Sequence, residues 1–171
     1  MVADVRRAYF CARARRPIYV EIPAEVWEYG DDMRCAELVQ SMYGTRDAAR
    51  NWSEELRSTM IGMRADPGLA TPCTFHLRRD GYDARIVIHG DDIVVAGLRH
   101  ELDLVQKSLE ERFSMKVTRV GLDDDLEWSV KVLNRVLSAD PDGFTLEADP
   151  RHQRMLIQEM GVETGRGPLL P

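Results

Sequence analysis

Ile86-Val87-Ile88-His89-Gly90-Asp91-Asp92-Ile93-Val94-Val95-Ala96-Gly97 is the stretch around which the chain is organised. Two apolar, β-branched runs flank Gly-Asp-Asp. That is the pattern of a β-hairpin, with Gly90 able to supply the positive φ of a tight turn. The runs are too apolar for a solvent-facing sheet, so a largely buried hairpin is expected, with two adjacent carboxylates at its tip. Unpaired carboxylates beside a hydrophobic block repel one another and are costly to desolvate unless they share a cation. Mg²⁺ is suited to the task, because it takes one or two carboxylates and leaves its other positions for water and phosphate. The plain alternative is turn chemistry alone, since Asp is favoured in turns for reasons unrelated to metals.

The 171 residues, 44% hydrophobic and 30% charged, suit one soluble domain with a real core. A net charge of -6 argues against adhesion to nucleic acid over the whole surface, although a local basic patch is compatible with it. Cys11, Cys35 and Cys73 are odd in number and lack C-x-x-C spacing, which suggests neither a disulfide framework nor a zinc site. His76, His89, His100 and His152 are equally scattered. No apolar run approaches a membrane span, and the arginine-rich start has no apolar signal core. A reducing, intracellular setting is therefore expected, with no signal peptide and no membrane partner. Neither an internal repeat nor a low-complexity tract is visible.

Upstream of the hairpin, residues 2–10 read as a strand with Asp4 as an acidic intrusion near its start. Arg6, Arg7, Arg13, Arg15 and Arg16 form the densest basic run, either a solvated loop or a contact for phosphates. Residues 18–22 alternate as a strand bounded by Pro17 and Pro23, and residues 34–42 read as another. Ala48, Ala49, Trp52, Leu56 and Met60 recur at helical spacing between Thr45 and about Arg64, and Asp66-Pro67-Gly68 ends that helix. Residues 73–77 and 84–89 are strands joined through Arg79-Asp80-Gly81.

Downstream, Leu98, Leu102, Val105, Leu109 and Phe113 mark a second amphipathic helix. Asp123-Asp124-Asp125 sits in a polar connection and is assigned to solvent. Residues 128–137 and 144–146 read as strands about the turn Asp140-Pro141-Asp142-Gly143. A final helix takes Asp149 as N-cap and Pro150 as its first residue, and stops at Gly161. Helices returning to one face of a mainly antiparallel sheet make an α+β domain on the split β-α-β plan. In such a plan an early strand can lie beside the central hairpin and bring Asp4 next to Asp91 and Asp92.

Several segments together resemble the reverse transcriptases of Ty1/copia-type retrotransposons. Asp4-Val5-Arg6-Arg7-Ala8-Tyr9 resembles their first catalytic motif, an Asp followed four and five residues later by Ala and an aromatic. Ser41-Met42-Tyr43-Gly44-Thr45-Arg46-Asp47-Ala48-Ala49-Arg50-Asn51-Trp52 is similar to the Ser-Leu-Tyr-Gly-Leu-Lys-Gln-Ala-Pro-Arg-Ala-Trp segment typical of that group. Gly90-Asp91-Asp92 stands where the family carries Tyr-Val-Asp-Asp, and Phe113-Ser114-Met115-Lys116 is similar to its Phe-x-Met-Lys. The residues from Phe144 to Gly161 resemble the strand and helix leading towards the thumb.

The resemblance implies a ferredoxin-like palm over residues 1–147, with the fingers largely missing, and the start of a thumb or connection helix with a tail over residues 148–171. It implies an RNA-directed DNA polymerase, a nucleotidyltransferase that extends a primer 3′ end on an RNA or DNA template from deoxynucleoside triphosphates. Asp4, Asp91 and Asp92 would be its catalytic and metal-binding residues, holding two Mg²⁺ ions, or Mn²⁺ as a substitute. Tyr9, Ala8 and Asp47 would bind the nucleotide, with the Tyr9 ring under the sugar, and Arg6, Arg7 and Arg50 would contact nucleic acid. The normal setting would be a transposable element's polyprotein with integrase and RNase H, in a cytoplasmic particle or the nucleus.

Three departures from the family pattern bear on activity. Asp47 replaces Gln, Ala49 replaces Pro, and His89-Gly90 replaces Tyr-Val. An acid at position 47 would repel a triphosphate, and Gly90 would loosen the hairpin. The alternatives are a decayed or repurposed, catalytically inactive palm that binds nucleic acid or protein, and an unrelated metal-binding α+β domain.

Overall fold

The computed structural model describes residues 1–27, 35–79, 81–148 and 150–161. It is an α+β protein that divides into two compact units, the first holding Met1 and residues 3–117, the second Val2 and the residues from Thr118 onward.

The first unit contains a six-stranded sheet. Its strands in chain order are β1 (Val2–Val5), β4 (Asp66–Pro67), β5 (Thr74–Arg79), β6 (Tyr82–His89), β7 (Asp92–Ala96) and β8 (Met115–Thr118). In space they run β4-β5-β6-β7-β1-β8. The last four positions reproduce the ferredoxin-like order, in which the first strand lies between the third and the fourth of a β-α-β-β-α-β unit. Two further short strands, β2 (Tyr19–Glu21) and β3 (Cys35–Glu37), pair antiparallel on their own.

Two helices complete this core, α1 (Ala48–Gly62) and α2 (Arg99–Glu110). Trp52, Leu56 and Met60 of α1 and Val105 and Leu109 of α2 join Ala3, Val5, Phe75, Leu77, Ala84, Ile86, Ile93 and Val95 in one buried cluster. Alternation along the strands puts that set on a single face. A buried carboxylate ties α2 to the sheet, for Glu101 is only 2% exposed. It accepts hydrogen bonds from the Leu98 and Asp83 amides, each at 2.6 Å. Gly97 makes room for it, since a Cβ there would lie 2.6 Å from a Glu101 carboxylate oxygen.

The expectation of a largely buried hairpin holds for one face only. Ile86, Ile93 and Val95 are sealed, whereas Val87 is 47% exposed. The helices cover one side of the sheet, so the alternate residues stay open.

Other elements differ in extent from the sequence reading. The first strand ends at Val5, because Arg7 adopts a left-handed conformation (φ 53°) and a 3₁₀ turn over Ala8–Cys11 follows. The strand expected over residues 34–42 is the short β3, and Arg34 lies outside the described residues. β8 carries the Met-Lys pair and had no counterpart in the reading of periodicity.

The second unit holds the antiparallel sheet β9 (Ser129–Val132), β10 (Arg135–Asp140) and β11 (Gly143–Ala148), and the helix α3 (Pro150–Glu159). The single strand expected over residues 128–137 is a hairpin, turned by Leu133 and Asn134 at φ 49° and 56°. Positive φ at both central residues is the mark of a type I′ turn. The N-cap expected at Asp149 lies outside the described residues.

Candidate catalytic site

β6 and β7 pair in the register His89↔Asp92, which leaves Gly90 and Asp91 as a two-residue turn. Gly90 has φ 65° and Asp91 does not share the positive sign, the pattern of a type II′ turn. Trp52 of α1 fixes this turn from beneath, its indole N–H donating to the Gly90 carbonyl at 2.8 Å.

β1 lies against the other side of β7. The amino terminus donates to the Val95 carbonyl at 2.9 Å, the Val95 amide donates to the Met1 carbonyl at 2.8 Å, and the Val5 amide donates to the Asp91 carbonyl at 3.1 Å. These two pairings, four residues apart on each strand, fix the register and put Asp4 directly opposite Asp92. Residues between hydrogen-bonded pairs of an antiparallel ladder have the closer side chains, with Cα atoms about 4.5 Å apart. His89, Asp92 and Asp4 thus form a row across three strands, with Asp91 at the adjoining turn.

The electrostatics of Asp92 record this crowding. Burial pushes its carboxyl above the usual range, and the charges of Asp91 and Asp4 push it in the same direction, while His89 partly offsets them. Asp4 and Asp91 are exposed and Asp92 is half-buried. Among the described residues no three His, Cys, Asp or Glu side chains converge as a preformed metal cage. The arrangement is an open one, two carboxylates face to face and a third at the turn. Such a set suits Mg²⁺, whose coordination is normally completed by water and phosphate rather than by an all-protein cage.

The residues for which the resemblance implies a nucleotide contact lie on the turn after β1 and at the start of α1. Ala8 is buried within the 3₁₀ turn that follows β1. Tyr9 packs on the core and stacks on Tyr43, with ring centroids 4.4 Å apart, and Phe10 meets Tyr43 edge-on at 5.6 Å. Two buried polar residues hold residues 41–43 there. The Ser41 amide donates to the Ala12 carbonyl at 2.7 Å, its hydroxyl to the Arg13 carbonyl at 3.3 Å, and Asn51 donates to the Ser41 hydroxyl at 3.0 Å. Asp47 pairs with Arg16, so a guanidinium offsets the acid that departs from the family pattern.

Of the basic residues, Arg6 is exposed and its amide donates to the Ser114 carbonyl at 2.9 Å. Arg7 is exposed in the left-handed conformation that starts the 3₁₀ turn. Arg50 pairs with Glu54 at 2.9 Å, one turn along α1, and Glu54 also holds Arg15.

A profile of the family described as reverse transcriptase (RNA-dependent DNA polymerase) matches residues 1–121. The chain belongs to this family. The matched segment of this reverse transcriptase-family chain contains β1, the hairpin, α1, α2 and β8, and so all the acids of the row. No solved structure matches the chain.

Sequence reasoning missed three contributors. Trp52 was legible only as a core residue, although it lies in the segment that resembles the family. Tyr43 lies in the same segment, but nothing in the spacing pairs it with Tyr9. His89 is the residue across from Asp92, a relation that follows once the turn is known to contain two residues.

Proposed function

We propose that this chain is the palm of a Ty1/copia-type reverse transcriptase, acting on a primer annealed to an RNA or DNA template. The observation that carries the reading is the register that sets Asp4 opposite Asp92 beside the Asp91 turn. It unites two distant acidic motifs on the uncovered face of the sheet. In this reading residues 1–147 are palm, residues 148–171 begin the thumb or connection, and the chain works within a larger polyprotein.

Asp4, Asp91 and Asp92 would hold two Mg²⁺ ions. When bound, the metal supplies a lowered pKa for the primer 3′-hydroxyl and neutralises charge on the leaving pyrophosphate. The protein's own task is positioning and charge placement, since phosphoryl transfer asks for little covalent chemistry from side chains. His89 moderates the repulsion at Asp92, and Trp52 keeps the turn in place. The Tyr9 ring, backed by Tyr43, offers the sugar a flat wall that excludes a 2′-hydroxyl above the buried Ala8. In this reading the exposed Arg6 and Arg7 meet phosphates, each neutralised charge adding salt-dependent affinity. Arg50 contributes less, because Glu54 already engages it.

Primer extension on an RNA template with Mg²⁺ or Mn²⁺ tests the reading, beside an Asp91→Asn control. Extension by the parent chain that the substitution abolishes supports it. Absence of extension with primer-template binding retained favours the inactive binding module. That second reading draws on Asp47, Ala49 and His89-Gly90, which depart from the family pattern.

A further inference from the structure

A pocket of about 620 Å³ opens between the first half of α1, residues 67–73 and the tip of the β6–β7 hairpin. Ligand sites for small organic molecules are commonly ~300–1,000 Å³, mostly apolar, with a few placed polar groups. The buried side chains of Leu56 and Phe75 make its floor, and Leu69 and Pro72 its wall. Leu69 is fully exposed, an apolar side chain at the lip with no cover of its own. The charge at the mouth is one-sided. Glu54 is engaged by Arg15 and Arg50, whereas Arg57 has no ion-pair partner among the described residues.

We propose that this pocket binds a small amphipathic organic anion, its apolar ring system seated on Leu56 and Phe75 and its carboxylate or sulfonate on Arg57. The bound molecule touches the backbone of His89 and Gly90, the inner side of the turn that carries Asp91. None of Asp4, Asp91 and Asp92 is on its lining, so its occupancy is measurable whether or not the chain polymerises.

Cys73 lines the same pocket and Cys35 does not, which gives a local reporter. The whole chain is titrated with 1-anilinonaphthalene-8-sulfonate, and alkylation of each cysteine by iodoacetamide is followed by mass spectrometry. At ten times the dissociation constant, mass action slows modification of Cys73 about tenfold and leaves Cys35 unchanged. Arg57→Glu weakens dye binding at least about tenfold, the loss of one charge-assisted contact. Arg85→Glu, which alters a neighbouring hollow lined by His76 and Val87, leaves binding intact. Ser53→Trp, at an exposed helix position on the lining, fills the pocket and removes both binding and protection. Circular dichroism verifies the fold of each variant. Dye binding without protection of Cys73, unchanged affinity in Arg57→Glu and Ser53→Trp, or no saturable binding at all overturns the proposal.

Discussion

Replacing Asp92 by Asn should stabilise this protein at neutral pH in the absence of divalent metal. The carboxyl is raised by burial, by Asp91 and by Asp4, so its ionised form is held against the preference of the fold. A group whose folded pKa lies above its unfolded value contributes stability that is complete below the unfolded pKa and lost as pH rises through the folded one. The unfolded carboxyl titrates near ~3.9, and the penalty therefore grows from about pH 4 upward. Like charges directly opposite on neighbouring strands cost roughly 0.2–1 kcal/mol, which sets the scale for relief of the Asp4–Asp92 pair. Urea unfolding of parent and Asp92→Asn at pH 7 and pH 3.5, with EDTA throughout, measures it. The variant should gain up to about 1 kcal/mol at pH 7 and little at pH 3.5. A variant less stable than the parent at pH 7, or an equal gain at both pH values, would refute the electrostatic reading of the row.

Trp52→Phe should remove the hydrogen bond to the Gly90 carbonyl and lower stability by about 0.5–1.5 kcal/mol, with part of the larger ring's packing lost in addition. A chemical denaturation curve reads this directly. Glu101→Ala strips two charge-assisted bonds from the Leu98 and Asp83 amides and should cost at least about 1.5–3 kcal/mol; amide hydrogen exchange at those two positions should rise. Tyr43→Ala, which leaves Tyr9 without its stacking partner, should reduce stability by about 0.5–1.5 kcal/mol beyond area loss and change the near-ultraviolet tyrosine signal.

The hairpin was legible because its information is local: β-branched residues on both sides of Gly-Asp, with the turn geometry set by Gly90. The two helices followed from periodicity, since Trp52, Leu56 and Met60, and Val105 and Leu109, reach the core as their spacing requires. Long-range pairing was another matter. The sequence permitted Asp4 to meet the hairpin, but the partner of a residue four positions from the start depends on contacts some ninety residues away. Leu133 and Asn134 concealed a turn because the pair lacks the glycine that usually signals positive φ. β8 was too short for its alternation to register. The indole N–H of Trp52 and the ring of Tyr43 show a further limit: periodicity assigns a residue to a face and says nothing of the atom it meets there.

The open outer face of the hairpin is the most instructive difference. Val87 and Val94 are as apolar as Ile86 and Ile93, and composition alone made both faces buried. Only the placement of α1 and α2 on one side distinguishes them, and it is this asymmetry that leaves Asp92 accessible beside Asp4.

The most direct test of the central claim, that Asp4 and the hairpin acids form one cation site, is Mn²⁺ binding followed by electron paramagnetic resonance. The parent chain is compared with Asp4→Asn and Asp92→Asn, and with Asp123→Asn in the acidic run assigned to solvent. Loss of binding in both of the first two variants, with Asp123→Asn unchanged, is the expected result. Mn²⁺ affinity unaffected by either Asp4→Asn or Asp92→Asn would contradict the account.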